Sequence, residues 1–263
     1  MTRHRKTRGN RRNHDRLRER KSIYMRTVVQ YEDKDVIVAY KPAGLAVQTA
    51  KIGQPDMVSE LKNYLKGAYV GVVHRLDQPV EGLLVFGKNP SAAAALSGQL
   101  AQKNPDGQSN FSKSYYAVIC KDSATKKEVC LTDYILKAKD NRAEIVPPDR
   151  AADMGAKKAV LRYVIKEILP ADPASIALAD ICIETGRFHQ IRAQMAHAGF
   201  PLLGDQKYGT PQSQEISLKE KVKTVALCAY KVSFCHPKTK KVMEFTVDPK
   251  GTIFQKFGIF NHH

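Results

Sequence analysis

The chain has 263 residues, enough for one large or two small domains with their own hydrophobic core. Hydrophobic residues make up 43% of it and charged residues 26%, and no apolar run approaches the roughly 18 residues that span a bilayer, which excludes a membrane-spanning helical protein. The N-terminus lacks the apolar stretch of a secretory signal, and Asp15 and Glu19 argue against a mitochondrial transit peptide, so we expect a cytoplasmic protein.

The formal net charge of +17 predicts a polyanionic partner such as nucleic acid. Residues 1–26 hold eleven Lys or Arg and two acids, a net of +9. We predict that they form a disordered basic tail ahead of one domain over 27–263. Whether the tail is only solvated or also contacts nucleic acid stays open, and Met25 is an alternative start of the protein.

The five cysteines are an odd number with no CxxC pair, which argues against a disulfide framework or a zinc site. Most of them lie inside apolar runs such as VALCAY and ADICIE. We therefore predict five buried free thiols.

Short apolar runs alternate with turn residues from about residue 28, which predicts a mostly β domain. The first strands are predicted over 36–40, 69–76 and 82–88. An alanine-rich helix is predicted over 91–102, with a start signal in Asn89-Pro90-Ser91. Seven further strands are predicted, over 115–120, 128–136, 142–146, 157–169, 175–184, 224–235 and 241–247. The expected fold class is α+β, with an antiparallel or mixed sheet.

A second helix is predicted over 186–199, with Thr185 as its cap and Gly199 near its end. One stripe of this helix is apolar and would pack on the sheet, namely Phe188, Ile191, Met195 and Ala198. Arg192 emerges beside that stripe, and the helix alone favours a surface or sheet-edge salt bridge for it. For His189 the alternative is a structural histidine.

Asp77 follows a β-rich run at a proline-containing turn, where side chains leave the sheet. One interpretation is a turn residue whose carboxylate caps a backbone amide. The other is an ionised nucleophile positioned by a cation.

Five segments together resemble the motifs of the RluA-type pseudouridine synthases. They are YEDKDVIVAYKPAGLAVQ (31–48), HRLDQPVEGLLVFGK (74–88), KSYYAV (113–118), TGRFHQIRAQMAHAGFPLLGDQKYG (185–209) and VALCAYKVSFCHPKTKKVMEF (225–245). They occur in the family's order and span most of residues 30–249.

The resemblance implies that uridine in ribosomal or transfer RNA is isomerised to pseudouridine, with no cofactor and no metal. Asp77 matches the family's catalytic aspartate, and its attack on C6 of uracil or on C1′ of the sugar are both open. Tyr115 matches the tyrosine that stacks on the target base and is implicated in proton removal from C5, while alternation sends Tyr116 to the other face. Arg192 matches the arginine that pairs with the carboxylate.

The resemblance also implies a set of RNA contacts and a shape. Arg75 matches the arginine that fills the space left by the flipped nucleotide, and strand geometry would put it on the same side as Asp77. The other expected RNA contacts are His74, Lys113, Arg187, His189 and Gln190. The implied fold is a long antiparallel or mixed sheet flanked by helices and loops, with a central basic cleft. We expect a monomer with no membrane partner.

This chain departs from the family pattern at two places. Pro79-Val80-Glu81-Gly82 stands where the family carries Thr-Ser-Gly, so a carboxylate replaces hydroxyls and is expected to pair with a cation. Gln194 stands where the family often has His. Two other functions remain open, a non-catalytic RNA-binding protein on this scaffold and a metal-dependent nuclease. The nuclease would use His74, Asp77, His189 and His197.

The basic tail gives a quantitative prediction. If about four of its cations neutralise RNA phosphates, removal of residues 1–24 makes the slope of log affinity against log salt shallower by about 3. Turnover at saturating RNA stays the same, because the tail holds no proposed catalytic residue. The measurement is RNA affinity at several salt concentrations for full-length and truncated protein, and equal slopes would rule out phosphate contacts by the tail.

Overall fold

Alternation of buried and exposed side chains makes strands the main elements, and the computed structural model joins them in one mixed sheet. The structure describes residues 25–49, 51, 53–102, 110–121 and 128–261, so the predicted tail lies outside it apart from Met25 and Arg26. Within these residues the sheet has 11 strands. They are β1 (Val28–Glu32), β2 (Val36–Lys41), β3 (Gly71–Val72), β4 (Glu81–Gly87), β5 (Phe111–Cys120), β6 (Val129–Lys137), β7 (Ala143–Val146), β8 (Lys157–Leu169), β9 (Ile176–Ile183), β10 (Leu227–Cys235) and β11 (Val242–Thr246).

The strand order is β1-β2-β4-β10-β5-β9-β8-β6-β7, with β3 paired to β4 and β11 paired to β10. All pairs are antiparallel except β4 with β10. Gly82 makes that parallel contact possible, because its φ is +127° and a Cβ there would lie 2.5 Å from the backbone of Ala229. The expected α+β class and mixed sheet are confirmed.

The described helices are short and begin with side-chain caps where the chain supplies them. Asp56, Asn89 and Thr210 accept the backbone N–H of the third helical residue. The helices are α1 (Met57–Tyr64), α2 (Pro90–Ala101), α3 (Gln190–His197) and α4 (Pro211–Lys219). None of them is long and apolar enough to cross a membrane.

Two predicted elements differ from those in the structure. The predicted strand over 69–76 is reduced to the two residues of β3, because the rest of this run forms the loop that carries Asp77. The predicted helix over 186–199 begins at Gln190, and Thr185 does not cap it. Instead the Thr185 hydroxyl donates to the Gln190 side-chain oxygen at 2.8 Å.

The prediction of five buried thiols is wrong for two cysteines. Cys120 and Cys228 are buried, Cys235 is half-buried, and Cys130 and Cys182 are exposed. Both exposed thiols lie opposite Arg162 in neighbouring strands, on the solvent side of the sheet. Strand alternation therefore decided their exposure, although the apolar residues around them suggested burial.

The two faces of the sheet are covered by different parts of the chain. On one face Tyr115, Ile191 and Met195 belong to the largest core cluster, so two of the four residues of the apolar stripe predicted for the late helix pack there. Phe188 packs against another cluster, and Ala198 is half-buried. On the other face the C-terminal segment, residues 247–261, packs three phenylalanines against the sheet, namely Phe254, Phe257 and Phe260. The C-terminal segment thus closes the second core.

Phe257→Ala tests this anchoring. Phe257 is fully buried, so its truncation is expected to cost about 3–5 kcal/mol of unfolding free energy, measured by urea denaturation. The matched control is Ile259→Ala in the same segment, where the side chain is 43% exposed and the change should stay within about 0.5 kcal/mol. Equal effects of the two changes would contradict a specific aromatic anchor.

Candidate active site

Asp77 lies in the loop between β3 and β4, and contacts with the turn after β2 fix this loop. The buried ammonium of Lys41 donates to the carbonyls of Leu45 at 2.7 Å and Gln78 at 3.0 Å. Gly44 and Gln78 also bond each other, through Gly44 N to the Gln78 carbonyl at 2.8 Å and the Gln78 amide to the Gly44 carbonyl at 3.1 Å. The Asp77 side chain remains 28% exposed on this braced loop.

Lys41 has carbonyl oxygens as its hydrogen-bond partners, and no carboxylate forms an ion pair with it among the described residues. Burial lowers the pKa of its ammonium to about 7, and the negative charges of Asp77 and Glu81 oppose that shift. The lysine therefore stabilises the turn and adds positive potential behind Asp77.

Arg192 joins helix α3 to the Asp77 loop. Its Nε and Nη2 donate to the two oxygens of Asp205, both at 2.7 Å, and its Nη1 donates to Asp77 Oδ2 at 3.2 Å. Burial opposes the charge of Arg192, but the bonds and charge of Asp205, followed by Asp77, outweigh it and raise the pKa of the guanidinium. The planar fork binds one carboxylate in a bidentate manner and leaves one nitrogen for the other.

Asp205 is itself held by a tight turn. Gly204, just before it, has φ +72°, and a Cβ there would lie 2.1 Å from the carbonyl oxygen of Thr224. The backbone N–H groups of Lys207 and Tyr208 donate to Asp205 Oδ1 at 3.0 and 3.2 Å. Asp205 is 1% exposed, so a buried carboxylate with four donors anchors the guanidinium.

His189 lies beside the same carboxylate. Its Nε2 is 3.6 Å from Asp77 Oδ2, and its Nδ1 is 2.8 Å from the Tyr208 hydroxyl. Burial lowers the pKa of the imidazole to about 4, and the positive charges of Arg192 and Lys207 add to that effect while Asp77 opposes it. The ring is therefore neutral near pH 7.

Tyr115 lies in the core on β5 and is 4% exposed. Burial raises the pKa of its phenol, and the charge of Asp77 raises it further. The hydroxyl is thus protonated near pH 7 and within electrostatic reach of Asp77. Tyr116, on the opposite face, stacks on Tyr230 with ring centroids 3.8 Å apart, as the alternation predicted.

A cavity of about 590 Å³ opens in front of Asp77, His189 and Arg192, within the usual range of ligand pockets. The buried Tyr115 is not among its lining residues. Two lysines that the sequence did not single out stand at it beside the predicted residues. Its lining includes Asp77, Phe188, His189, Arg192, Lys207 and Lys223. The site therefore combines a carboxylate, an arginine and a cationic wall.

The comparisons agree with this arrangement. A family model described as RNA pseudouridylate synthase matches residues 35–197. The chain is 30% identical to a ribosomal large subunit pseudouridine synthase D of Zymomonas mobilis, over 84% of this chain and 68% of that protein. It is 30% identical to a tRNA pseudouridine synthase C of Haemophilus ducreyi, over 80% of this chain and 86% of that one.

The chain belongs to the RNA pseudouridylate synthase family. The solved structure of human RNA pseudouridylate synthase domain containing 1 has the same fold, with a TM-score of 0.66 at 18% identity over 85% of this chain and 83% of that one. The resemblance drawn from the five motifs and the expected enzyme class, an isomerase acting on RNA, are confirmed.

The residues expected to contact RNA fall into two groups, those whose side chains are at least partly exposed and those whose side chains are buried. Arg75 is exposed, but it lies in a loop, so the strand geometry invoked to place it beside Asp77 does not apply. Arg187 is exposed, and its Nε donates to the carbonyl of Lys158 at 2.9 Å. Lys113 is half-buried, and burial lowers the pKa of its ammonium to about 8.

Two further expected RNA contacts have internal partners. His74 is 8% exposed, and its Nε2 accepts the N–H of Val85 at 3.2 Å. Gln190 is 4% exposed, accepts from Thr185 and Arg187 N, and donates to the carbonyl of Val160. Their burial and these bonds give both side chains a structural role, and their contact with RNA stays a prediction.

The two departures from the family pattern have partners inside the fold. The expectation that Glu81 pairs with a cation is wrong. It accepts the Tyr40 hydroxyl and the backbone N–H groups of Lys250 and Gly251, the last at 3.0 Å. Gln194 is fully buried and donates to Asp133 Oδ2 at 2.7 Å.

Of the four residues of the nuclease alternative, only His189 and Asp77 lie together. His197 lies 4.0 Å from Asp133, and His74 is bonded to the β4 backbone. The described part of the chain has one group of possible metal ligands, formed by Asp33, Asp35 and His236. There the imidazole of His236 already bonds Asp33 at 2.8 Å. The arrangement gives no support to a metal centre at Asp77.

Asp205→Asn tests the anchoring of Arg192 in the synthase. Removing one charge of a buried pair leaves the other uncompensated, so we expect a loss of about 3–5 kcal/mol in urea unfolding and a large fall in turnover. The matched control is Glu244→Gln, which removes an acid that is 51% exposed and pairs with Lys231 on the sheet surface, and should change stability by less than about 1 kcal/mol. A wild-type stability for Asp205→Asn would contradict the anchor.

Proposed function

We propose that this synthase isomerises specific uridines in structured ribosomal or transfer RNA, with Asp77 as the nucleophile. The observation that carries the proposal is the position of Asp77, partly exposed at the cavity and 3.2 Å from a guanidinium that a second carboxylate holds. The names of the relatives, one acting on the ribosomal large subunit and one on tRNA, support these two RNA classes.

The product of this reaction is an isomer of the substrate, so the reaction can proceed with groups that the protein itself supplies. The bond from N1 to C1′ breaks, the uracil rotates, and a bond from C5 to C1′ forms while C5 loses its proton and N1 gains one. No electron or group is exchanged with a third molecule, so the balance calls for no redox or transfer cofactor. The protein has to supply a nucleophile, a proton relay and a pocket that retains the free base.

Arg192 has two tasks in this proposal. Its Nη1 forms an ion pair with the Asp77 carboxylate, and its rigid fork fixes the direction of that carboxylate. Asp205 accepts the hydrogen bonds of Nε and Nη2, so Arg192 does not form a bidentate ion pair with Asp77.

Tyr115 is proposed to handle the proton at C5. Its phenol is protonated because burial, followed by the charge of Asp77, raises the pKa of the hydroxyl.

The RNA itself is proposed to lie across the cavity. Lys207 and Lys223 at the cavity wall and the exposed Arg75 and Arg187 supply positive charge for phosphates. A uridine held at Asp77 has to leave the base stack first, which costs a few kcal/mol that cationic contacts and stacking repay.

Asp77→Asn tests the assignment of the nucleophile. A neutral amide of the same shape should bind RNA with unchanged affinity and lose at least about a thousandfold in turnover. Turnover is measured as release of tritium from C5 of labelled uridine, and the target is found by mapping pseudouridine in total RNA with and without the protein. The matched control is Asp140→Asn, an exposed turn residue that should remain fully active.

Arg192→Met and Tyr115→Phe complete the test. Arg192→Met should lower turnover severely, because the carboxylate loses its partner at 3.2 Å. Tyr115→Phe should bind RNA and fail or slow at product formation. Substantial turnover by Asp77→Asn would overturn the proposal, and full activity of Arg192→Met would show that the pairing is not used.

A further inference from the structure

His189 precedes helix α3 in a strained conformation. Its φ is +50°, in the left-handed region that residues with a Cβ rarely adopt. Its ring is clamped, stacked on Phe188 with centroids 3.8 Å apart and edge-on to Tyr208, and the side chain is 9% exposed. The surrounding packing therefore maintains the strained backbone conformation and fixes the orientation of the imidazole ring.

The hydrogen bonds of Tyr208 fix the proton on this ring. A backbone N–H can only donate, so the Tyr208 oxygen accepts from Ala143 N at 2.6 Å. Its single O–H is then free to donate to His189 Nδ1 at 2.8 Å. Because the imidazole is neutral, Nδ1 accepts and the proton is on Nε2, the nitrogen that faces Asp77.

The other tautomer is unfavourable for two reasons. A proton on Nδ1 would point at the Tyr208 oxygen and leave the tyrosine O–H without that acceptor. It would also turn the lone pair of Nε2 toward Asp77 Oδ2, 3.6 Å away, where two electron-rich atoms repel each other.

Both neighbours of Asp77 approach the same oxygen. Arg192 Nη1 lies 3.2 Å and His189 Nε2 lies 3.6 Å from Oδ2. Among the residues that the structure describes, no hydrogen-bond donor to Oδ1 is found. The two carboxylate oxygens are therefore inequivalent, one held by the protein and one left for the substrate.

We propose that His189 is a second positioning residue for Asp77, which donates Nε2–H to Oδ2 in a tautomer selected by Tyr208 and so presents Oδ1 as the attacking oxygen. The proposal rests on the proposed role of Asp77 as nucleophile. The distance of 3.6 Å is long for a hydrogen bond and is expected to shorten when RNA fills the cavity.

The tautomer can be measured without any activity. In ¹⁵N spectra of the full-length protein labelled at histidine, we expect His189 with a bare Nδ1 and a protonated Nε2. In Tyr208→Phe the donor to Nδ1 is absent, so a mixture of tautomers is expected. A protonated Nδ1 in the wild-type protein would overturn the proposal.

Two substitutions at His189 separate donation from packing. The amide nitrogen of Gln reaches about as far as Nε2, whereas that of Asn corresponds to Nδ1. His189→Asn should therefore lower the single-turnover rate at saturating RNA by about 10–100-fold, and His189→Gln should restore it to within about threefold of wild type. Asn tolerates the left-handed backbone better than Gln, so backbone strain alone predicts the opposite order.

Tyr208→Phe should also reduce the single-turnover rate, because the loss of its hydroxyl removes the donor that selects the tautomer of His189. The matched control is Tyr230→Phe, which removes a hydroxyl bonded to Asp180 at 3.1 Å on the other face of the sheet and should leave the rate unchanged. Full activity of His189→Asn, or equal damage by Asn and Gln, would overturn the proposal.

The outcomes distinguish this proposal from the proposed function. A wild-type protein that converts no uridine in any RNA, with His189 in the expected tautomer, would overturn the proposed function and with it the positioning role of His189 in catalysis. A wild-type protein that is active would overturn the positioning role alone if His189 has the other tautomer or if His189→Asn keeps the wild-type rate. Thermal unfolding of each variant confirms that it is folded before either conclusion is drawn.

Discussion

The buried ion pair between Arg192 and Asp205 is the interaction on which the site depends. Two charges 2.7 Å apart in the interior are stable together, and either one alone would be costly. The pair consumes two of the guanidinium nitrogens and leaves Nη1 facing Asp77, which belongs to a loop 115 residues earlier in the chain. A tight turn at Gly204 places one partner and helix α3 places the other, so the direction of the nucleophile is set by the scaffold.

Asp77 and Arg192 were singled out by their match to the family motifs, because residue type and position alone left a structural alternative for each of them. The long strand β8 also has the predicted bounds, since buried side chains alternate with more exposed ones from Ala159 to Ile165. The run over 69–76 looked just as β-rich, but contacts with Lys41 and Gly44 after the end of β2 hold the segment between β3 and β4 as a loop. Helices α1 and α4 were missed because their patterns are short and mixed.

Burial of polar side chains was the other property that the sequence did not predict, because it depends on contacts between segments that are far apart in the chain. His74 and Gln190 are residue types that usually meet solvent or ligand, and the motif resemblance reinforced that expectation. Each instead bonds a backbone group of a neighbouring strand, with the Val85 N–H donating to His74 Nε2 and the Gln190 amide donating to the Val160 carbonyl. Asp205 carried a usable signal, because a glycine precedes it in a segment already matched to the family. The role of Tyr208 had no signal in the sequence, because that role depends on the hydrogen bond between its hydroxyl and the backbone N–H of Ala143, which is far away in the chain.

The position of β10 has a consequence for how the protein is made. This strand lies between β4 and β5, so it is the seam between the sheet's N-terminal part and the strands from β5 onward. A ribosome synthesises β10 after all the strands from β5 to β9. Until then the nascent chain holds two half-sheets with unsatisfied edges at β4 and β5, each open to mispairing. Strand β10 therefore joins the two parts of the sheet. A chain that ended before β10 would contain both Asp77 and Arg192 but would lack the strand that connects the two parts of the sheet.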